Sequence, residues 1–277
     1  MSGRVPIRRS TGHAREGRSI RRASAGLSPL RAGAVLLMLL TAAGVYGVST
    51  ASAFGFANMT LGGATYTTRD QVAAALGLER GENLVTLRTD GLADALRQIP
   101  TVADAAVSID LPDTVRVRLT ERTPIVLWVT TAGRFLVDSS GLMFAGADAS
   151  PAGATAGLRI IQDRRAGSAG LVIGASLDPV DLDAATRLGS LKPADVGSTA
   201  NGLTLTLDDD HGFVLGSGPG GWTATFGFYT PSLRTADAIP DQVRTLRSLI
   251  GAYGEATIAT AVLAGPENGT FTRKDGK

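Results

Sequence analysis

Between Ile99 and Trp128 the chain reads IPTVADAAVSIDLPDTVRVRLTERTPIVLW, and its apolar residues fall on odd positions on both sides of a turn. Ala105, Val107, Ile109 and Leu111 precede Pro112; Val115, Val117 and Leu119 follow it. Ser108, Asp110, Arg116 and Arg118 hold even positions between them. A period of two makes a strand with one dry face, and the Pro112-Asp113 step makes a turn. Residues paired across two strands share a face, so paired numbers must sum to an even value and the loop must have odd length. The expected register places Leu111 opposite Val115 around a three-residue loop, Pro112–Thr114.

A hairpin with one dry face needs a cover, and two helices precede it. Thr68-Arg-Asp-Gln71 reads as a capping box ahead of Val72, Ala75 and Leu76, with Gly77 as a left-handed stop. Thr89 or Asp90 opens a second helix whose apolar stripe is Leu92, Leu96 and Ile99, and Pro100 stops it. A first strand from Phe54 to Leu61 ends at Gly62-Gly63. The order β-α-α-β-β is an α+β layer arrangement.

Upstream, Ala32–Ala53 carries no charge, and as a helix spans about 33 Å, enough for a bilayer core. The net charge is +2, of which residues 1–31 contribute +7 (eight Arg against Glu16), leaving −5 for the rest. Arginines on one side only place the N-terminus in the cytoplasm and residues 54–277 outside it. An Arg-rich tail can also meet anionic lipid or another partner. Ala51-Ser52-Ala53 fits a signal-peptidase pattern, so the segment reads either as a retained anchor or as a cleaved signal. The absence of cysteine excludes thiolate catalysis and thiolate metal sites.

After Pro124 the texture changes to short strands: Ile125–Val129, Arg134–Val137, Leu142–Phe144, Leu158–Ile161, Gly202–Leu207, Phe213–Gly216, Trp222–Tyr229 and Thr257–Leu263. Residues 145–157 read as a mobile loop. Helices start at Asp178-Pro179 and Pro240, the second closed by Gly251. The segments are a basic cytoplasmic tail (1–31), a transmembrane helix (32–53), the β-α-α-β-β module (54–123), a β-rich domain with two helices (124–264) and a polar, disordered tail (265–277).

Candidate chemistry is sparse. Asp208-Asp-Asp210-His211 can bind a cation weakly or be a solvated turn, and no distant cluster supplies a second half-site. Gly216-Ser-Gly-Pro-Gly-Gly221 matches a dinucleotide motif by letter, but the strand-like Trp222–Phe228 follows where a helix is required, so a hairpin loop fits better. Ser139 and Ser140 have no histidine base within the same segment, and Lys192 precedes a proline at a helix end, so no nucleophile is set up. Glu121 and Arg122 end the hairpin, as a contact surface between domains or with a partner, or as a solvated strand end.

The order of these segments resembles the FtsQ/DivIB family of bacterial cell-division proteins, and the module resembles a POTRA (polypeptide-transport-associated) domain. The resemblance rests on Gly62-Gly63, Leu78-Glu-Arg-Gly-Glu-Asn-Leu84, Ile99-Pro-Thr-Val-Ala-Asp-Ala105, Leu111-Pro-Asp-Thr114, Glu121-Arg-Thr-Pro124 and Val137-Asp-Ser-Ser-Gly141. Beyond residue 160 only the layout matches. The resemblance implies a non-enzymatic divisome scaffold in the cell membrane at the septum, with no cofactor, metal or nucleic acid. It implies FtsB-like and FtsL-like bitopic division proteins as partners, and through them the septal peptidoglycan synthase complex. In the family, partner binding uses strand addition at the end of the β domain. Here the expected edge is Thr257, Ile258, Ala259, Thr260, Ala261, Val262 and Leu263, because an open edge offers unpaired backbone groups. Two other readings stand beside it: another membrane-anchored POTRA-bearing export or assembly factor, and a secreted binding protein or hydrolase released after Ala53.

Overall fold

A computed structural model describes residues 29–50, 52–232, 234–265 and 268–274. The tail at 1–28 and Ala51 of the cleavage pattern lie outside the described residues. Two units result, one carrying the N-terminal helix and one comprising residues 51–277. The first is α1 (Pro29–Thr50), long and apolar enough to cross a membrane. It starts three residues before the expected 32–53 segment and ends three before its close, with proline at its first position. Ser52 and Ala53 belong to a separate 3-10 turn, Ser52–Phe54.

The second unit opens with β1 (Asn58–Gly62), α2 (Arg69–Leu76), α3 (Thr89–Arg97), β2 (Val102–Asp110) and β3 (Thr114–Glu121). The sheet order is β1-β3-β2, with β1 parallel and β2 antiparallel to β3. The capping box of Thr68 and Gln71 forms, and Gly77 closes α2 in the left-handed region. Val72, Leu76 and Leu96 from the helices bury against Val115, Val117 and Leu119.

The hairpin keeps its odd loop and its dry odd face, but the register differs from the expected one. Ile109 faces Val115 and Asp110 faces Thr114, so the loop is Leu111–Asp113 and Leu111 is exposed. The reason lies in how β1 joins β3. The Asp113 carbonyl accepts the N–H groups of Ala57 and Asn58, and its carboxylate accepts from Asn58 Nδ2 at 2.9 Å and Thr114 Oγ1 at 2.8 Å. Asp113 stays in the loop in either register, but Thr114 is drawn into β3, where it pairs with Asn58 of β1 on one side and Asp110 of β2 on the other. Gly63, just past β1, has φ +77°, and a Cβ there would lie 2.1 Å from the Leu119 carbonyl oxygen. The Gly-Gly step is thus a close backbone approach that no other residue allows.

The second half contains β4 (Val126–Val129), β5 (Arg134–Val137), β6 (Met143–Gly146), β7 (Arg159–Asp163), α4 (Pro179–Gly189), β8 (Thr204–Asp208), β9 (Gly212–Gly216), β10 (Thr223–Gly227), α5 (Ile239–Tyr253), β11 (Ile258–Leu263) and β12 (Gly269–Arg273). They form one nine-stranded sheet, ordered β12-β11-β10-β9-β8-β7-β4-β5-β6. Helices α4 and α5 cover one face, over a core that includes Trp128, Phe213, Trp222 and Phe226. Leu127, Leu136 and Phe144 occupy the opposite face of the β4–β6 end. There Tyr66, from the first half, packs edge-on against Phe144 with ring centroids 5.4 Å apart.

Three expectations are corrected here. Gly251 lies inside α5, which closes at Gly254. Residues 145–157 include the end of β6 and a 3-10 turn, Ala147–Ala149. Residues 265–277 are not a wholly disordered tail, because Gly269–Arg273 pairs with β11 as β12.

Gln242 fastens α5 to the sheet. It is fully buried; its Nε2 donates to the carbonyls of Phe226 (2.9 Å) and Leu263 (2.8 Å), and its Oε1 accepts from Tyr229 Oη at 2.7 Å. Burial pushes the Tyr229 phenol far above its ordinary pKa, so it stays a donor. Replacing Gln242 with Leu takes a partner from the Tyr229 hydroxyl and from the Leu263 carbonyl, while Arg234 still reaches the Phe226 carbonyl. The expected loss is about 3 kcal/mol in urea unfolding, well above a surface substitution.

Candidate functional site

No side-chain constellation with catalytic geometry emerges among the described residues. The β8–β9 turn brings ligand atoms of Asp208, Asp210 and His211 within 4.8 Å of one another. The Asp208 carboxylate is already engaged there, accepting the N–H groups of Asp210 (3.0 Å) and His211 (2.7 Å), as in a side-chain-closed turn. Gly216–Gly221 is a hairpin loop into β10, closed by Ser217 N–H to the Trp222 carbonyl at 3.0 Å.

Strand edges offer more. At one end of the large sheet, β6 is covered: Met143 N–H donates to the Ala175 carbonyl and Gly174 N–H to the Met143 carbonyl. At the other end β12 has, among the described residues, a neighbour on one side only. The expected edge residues lie one strand inward. Ile258 to Leu263 form β11, hydrogen-bonded to β10 on one side and β12 on the other, while Thr257 precedes the strand in a turn. Ile258, Ala261 and Leu263 are buried, and Thr260 and Val262 are exposed on the face without helices. The open edge is therefore Gly269–Arg273. A signal for it exists in the sequence: Thr270-Phe271-Thr272 alternates polar and apolar residues.

The geometry of β12 fits a docking edge. Ala264 N–H donates to the Asn268 carbonyl, and the same register pairs Thr270 with Val262 and Thr272 with Thr260. By alternation the N–H and C=O groups of Gly269 and Phe271 turn outward. Phe271 packs on Tyr253 of α5, centroids 4.5 Å apart. A Cβ on Gly269 would lie 2.8 Å from Thr245 Cγ2, so α5 approaches the edge closely. Beside it runs a groove of about 420 Å³ lined by Arg244, Thr245, Ser248, Leu249, Ala252 and Tyr253.

Two devices hold this edge in place. Arg234 donates to the carbonyls of Phe226 and Ala264, tying the end of β10 to the end of β11. Glu255, in the turn between α5 and β11, accepts from Ser198 Oγ, from Thr199 N–H and Oγ1, and from Trp222 Nε1 at 2.8 Å.

Glu121 and Arg122 form an internal joint. The Glu121 carboxylate accepts the N–H groups of Thr65 (2.6 Å), Tyr66 (2.9 Å) and Thr67 (2.7 Å). Arg122 donates to the Pro100 carbonyl and, at 2.6 Å, to Asp138 in the turn after β5. Burial raises the Asp138 pKa, and hydrogen bonds from Ser140, Arg122 and the Leu142 N–H more than offset it, so the group stays below the ordinary carboxylate value.

The family model described as "POTRA domain, FtsQ-type" matches residues 54–122. The β1–β3 module is an FtsQ-type POTRA domain. The chain is 31% identical over 157 residues to the cell division protein FtsQ of Mycobacteroides abscessus, covering 54% of this chain and 46% of that protein. It is 29% identical over 167 residues to FtsQ of Mycobacterium leprae, covering 58% and 45%. With FtsQ of Streptomyces venezuelae it shares 30% over 117 residues, covering 42% and 43%. The chain thus matches a little under half the length of these curated relatives.

The four hydrogen bonds to Glu255 outweigh its burial and hold its pKa down to about 2, against an ordinary value of 4.5. A depressed folded-state pKa stabilises above the unfolded value and is lost as pH falls through the folded one. Wild-type thermal stability therefore declines between roughly pH 4.5 and 2 by an increment that Glu255→Gln lacks, and at pH 7 the variant melts lower. Melting curves of both proteins against pH measure this.

Proposed function

We propose that this chain is a membrane-anchored, non-enzymatic scaffold of bacterial cell division. In this reading its N-terminus is cytoplasmic, its POTRA and β domains work outside the cytoplasm, and it gathers at the division septum. The observation that carries the reading is the FtsQ-type POTRA domain joined to a nine-stranded sheet with a free last strand. The relatives' names supply the process. The partners proposed are FtsB-like and FtsL-like bitopic proteins, which connect the scaffold to the septal peptidoglycan synthase complex.

Binding is by strand addition to β12 rather than to β11. An incoming strand satisfies the outward backbone groups of Gly269 and Phe271, and its flank rests in the groove against Leu249 and Tyr253. β11 cannot serve, because both of its edges are occupied; a proline at Thr260 or Val262 would break ladder bonds and damage the sheet. The outward phase of β12 continues to Arg273, whose N–H is not needed by the Thr270 and Thr272 ladder bonds.

Two experiments test the reading. A fluorescent fusion at the N-terminus, in dividing host cells, is expected as a mid-cell band, with filamentation on depletion; uniform membrane signal with normal division would refute the division role. Arg273→Pro is expected to weaken capture of the FtsB-like partner by about ten-fold while the melting temperature stays close to wild type. Unchanged capture would remove β12 as the docking edge.

A further inference from the structure

Helix α2 and the segment around β1 leave a groove between them. Arg69, Ala73 and Leu76 stand at i, i+4 and i+7 and so share one face of α2. Leu78 and Arg80 follow the Gly77 cap and continue that face into the loop. With Phe56 and Met59 they line a groove of about 310 Å³. Ala73 keeps it open. Ala73 is exposed, and a methyl is too short to fill the space over the buried Met59 and Leu76.

The strand edge beside this groove is closed. The Met59 carbonyl accepts Arg69 Nη2 at 2.6 Å. The Phe56 N–H donates to the Glu82 carbonyl and the Phe56 carbonyl accepts the Gly81 N–H, both at 2.8 Å. A ligand in the groove therefore meets side chains rather than a backbone ladder. Those side chains are of two kinds. Met59, Leu76 and Leu78 are apolar. Arg69 uses one N–H on Met59 and keeps the rest of its fork. Arg80 has no hydrogen bond or ion pair among the described residues, and no carboxylate lines the groove. Two guanidiniums over an apolar floor select an anion carried on an apolar body.

Size and chain position narrow the choice. The volume is that of roughly ten water molecules in the liquid, room for a phosphate with its glycerol and too little for a folded segment. Phe56 follows Thr50, the last residue of α1, by six positions. Six residues span at most about 20 Å when fully extended, so a bilayer that holds α1 keeps its surface within reach of the groove. We propose that the groove between α2 and β1 binds the headgroup of an anionic phospholipid from that bilayer. The phosphate meets Arg69 and Arg80, and the glycerol and first acyl carbons rest on Met59, Leu76 and Leu78. The inference rests on α1 lying in a membrane, and it stands whether or not the chain acts in division.

The test places the full chain in nanodiscs of equal parts phosphatidylglycerol and phosphatidylcholine. A photoactivatable diazirine analogue of leucine replaces Leu78, and mass spectrometry identifies the lipid it captures. Phosphatidylglycerol adducts are expected in about thirty-fold excess, the sum of two arginine contacts. Arg80→Gln should lower that excess about five-fold at an unchanged melting temperature, since Arg80 has no protein partner to lose. Ala73→Leu fills the groove and should abolish the adduct. The same analogue at Leu111, exposed on the hairpin loop, should show no preference. The proposal is overturned if Leu78 captures no lipid, if it captures both lipids equally, if Leu111 shows the same excess, or if Arg80→Gln changes nothing. A chain that does not enter nanodiscs removes the anchor, and the proposal with it.

Discussion

The Glu121–Arg122 pair is the constraint on which the unit after the N-terminal helix depends. A carboxylate that accepts three consecutive N–H groups, at Thr65, Tyr66 and Thr67, acts like an anion in a backbone nest. It fixes the segment between β1 and α2, which fixes Tyr66, whose ring closes the small core around Phe144. Its neighbour ties the α3–β2 turn at Pro100 to the β5–β6 turn at Asp138. One dipeptide at the end of β3 therefore aligns the POTRA sheet with the nine-stranded sheet. Ordinary surface ion pairs contribute little; here the Asp138 side chain is 9% exposed and each charge has several donors or acceptors.

The far end of the large sheet is held by polar groups of another kind. Gln242 and Arg234 both reach the carbonyl of Phe226 and then the carbonyls at the end of β11, so helix, β10 and β11 share one fastening. Gly212 completes it at the bulge: a Cβ there would lie 2.4 Å from the backbone of Gly227. Because these contacts stop at β11, β12 rests on the ladder, on Phe271 and on the close approach of Gly269 to α5. A last strand attached on one side, with a stiff sheet behind it, presents backbone groups to a partner without requiring the core to move.

Much of this is legible in the sequence wherever the cause is local. The box at Thr68 and Gln71, the N-cap at Asp178 and the odd face of the hairpin follow from residues within a few positions of one another. What escapes a sequence reading is set by partners far away. The hairpin register shifts because Thr114 is recruited into β3 opposite Asn58 of β1, a partner far away in the chain. Composition makes residues 265–277 look disordered, since Thr270, Thr272 and Arg273 are polar; they face water on a strand whose single apolar residue, Phe271, finds Tyr253 on a helix. The edge residues of the candidate site were legible as strand, but edge status is a property of the sheet order, and one additional strand moves it.

The two edges illustrate opposite treatments of the same hazard. An unpaired strand invites any extended chain. The POTRA sheet closes parts of its edges with arginines, Arg69 on the Met59 carbonyl and Arg97 on the Ala105 carbonyl. An arginine cap is selective because it occupies one backbone group and leaves the next outward pair, two residues on, available. On β2 that leaves Val107 and Ile109, bounded at one end by the cap and at the other by the Asp113 loop that anchors β1.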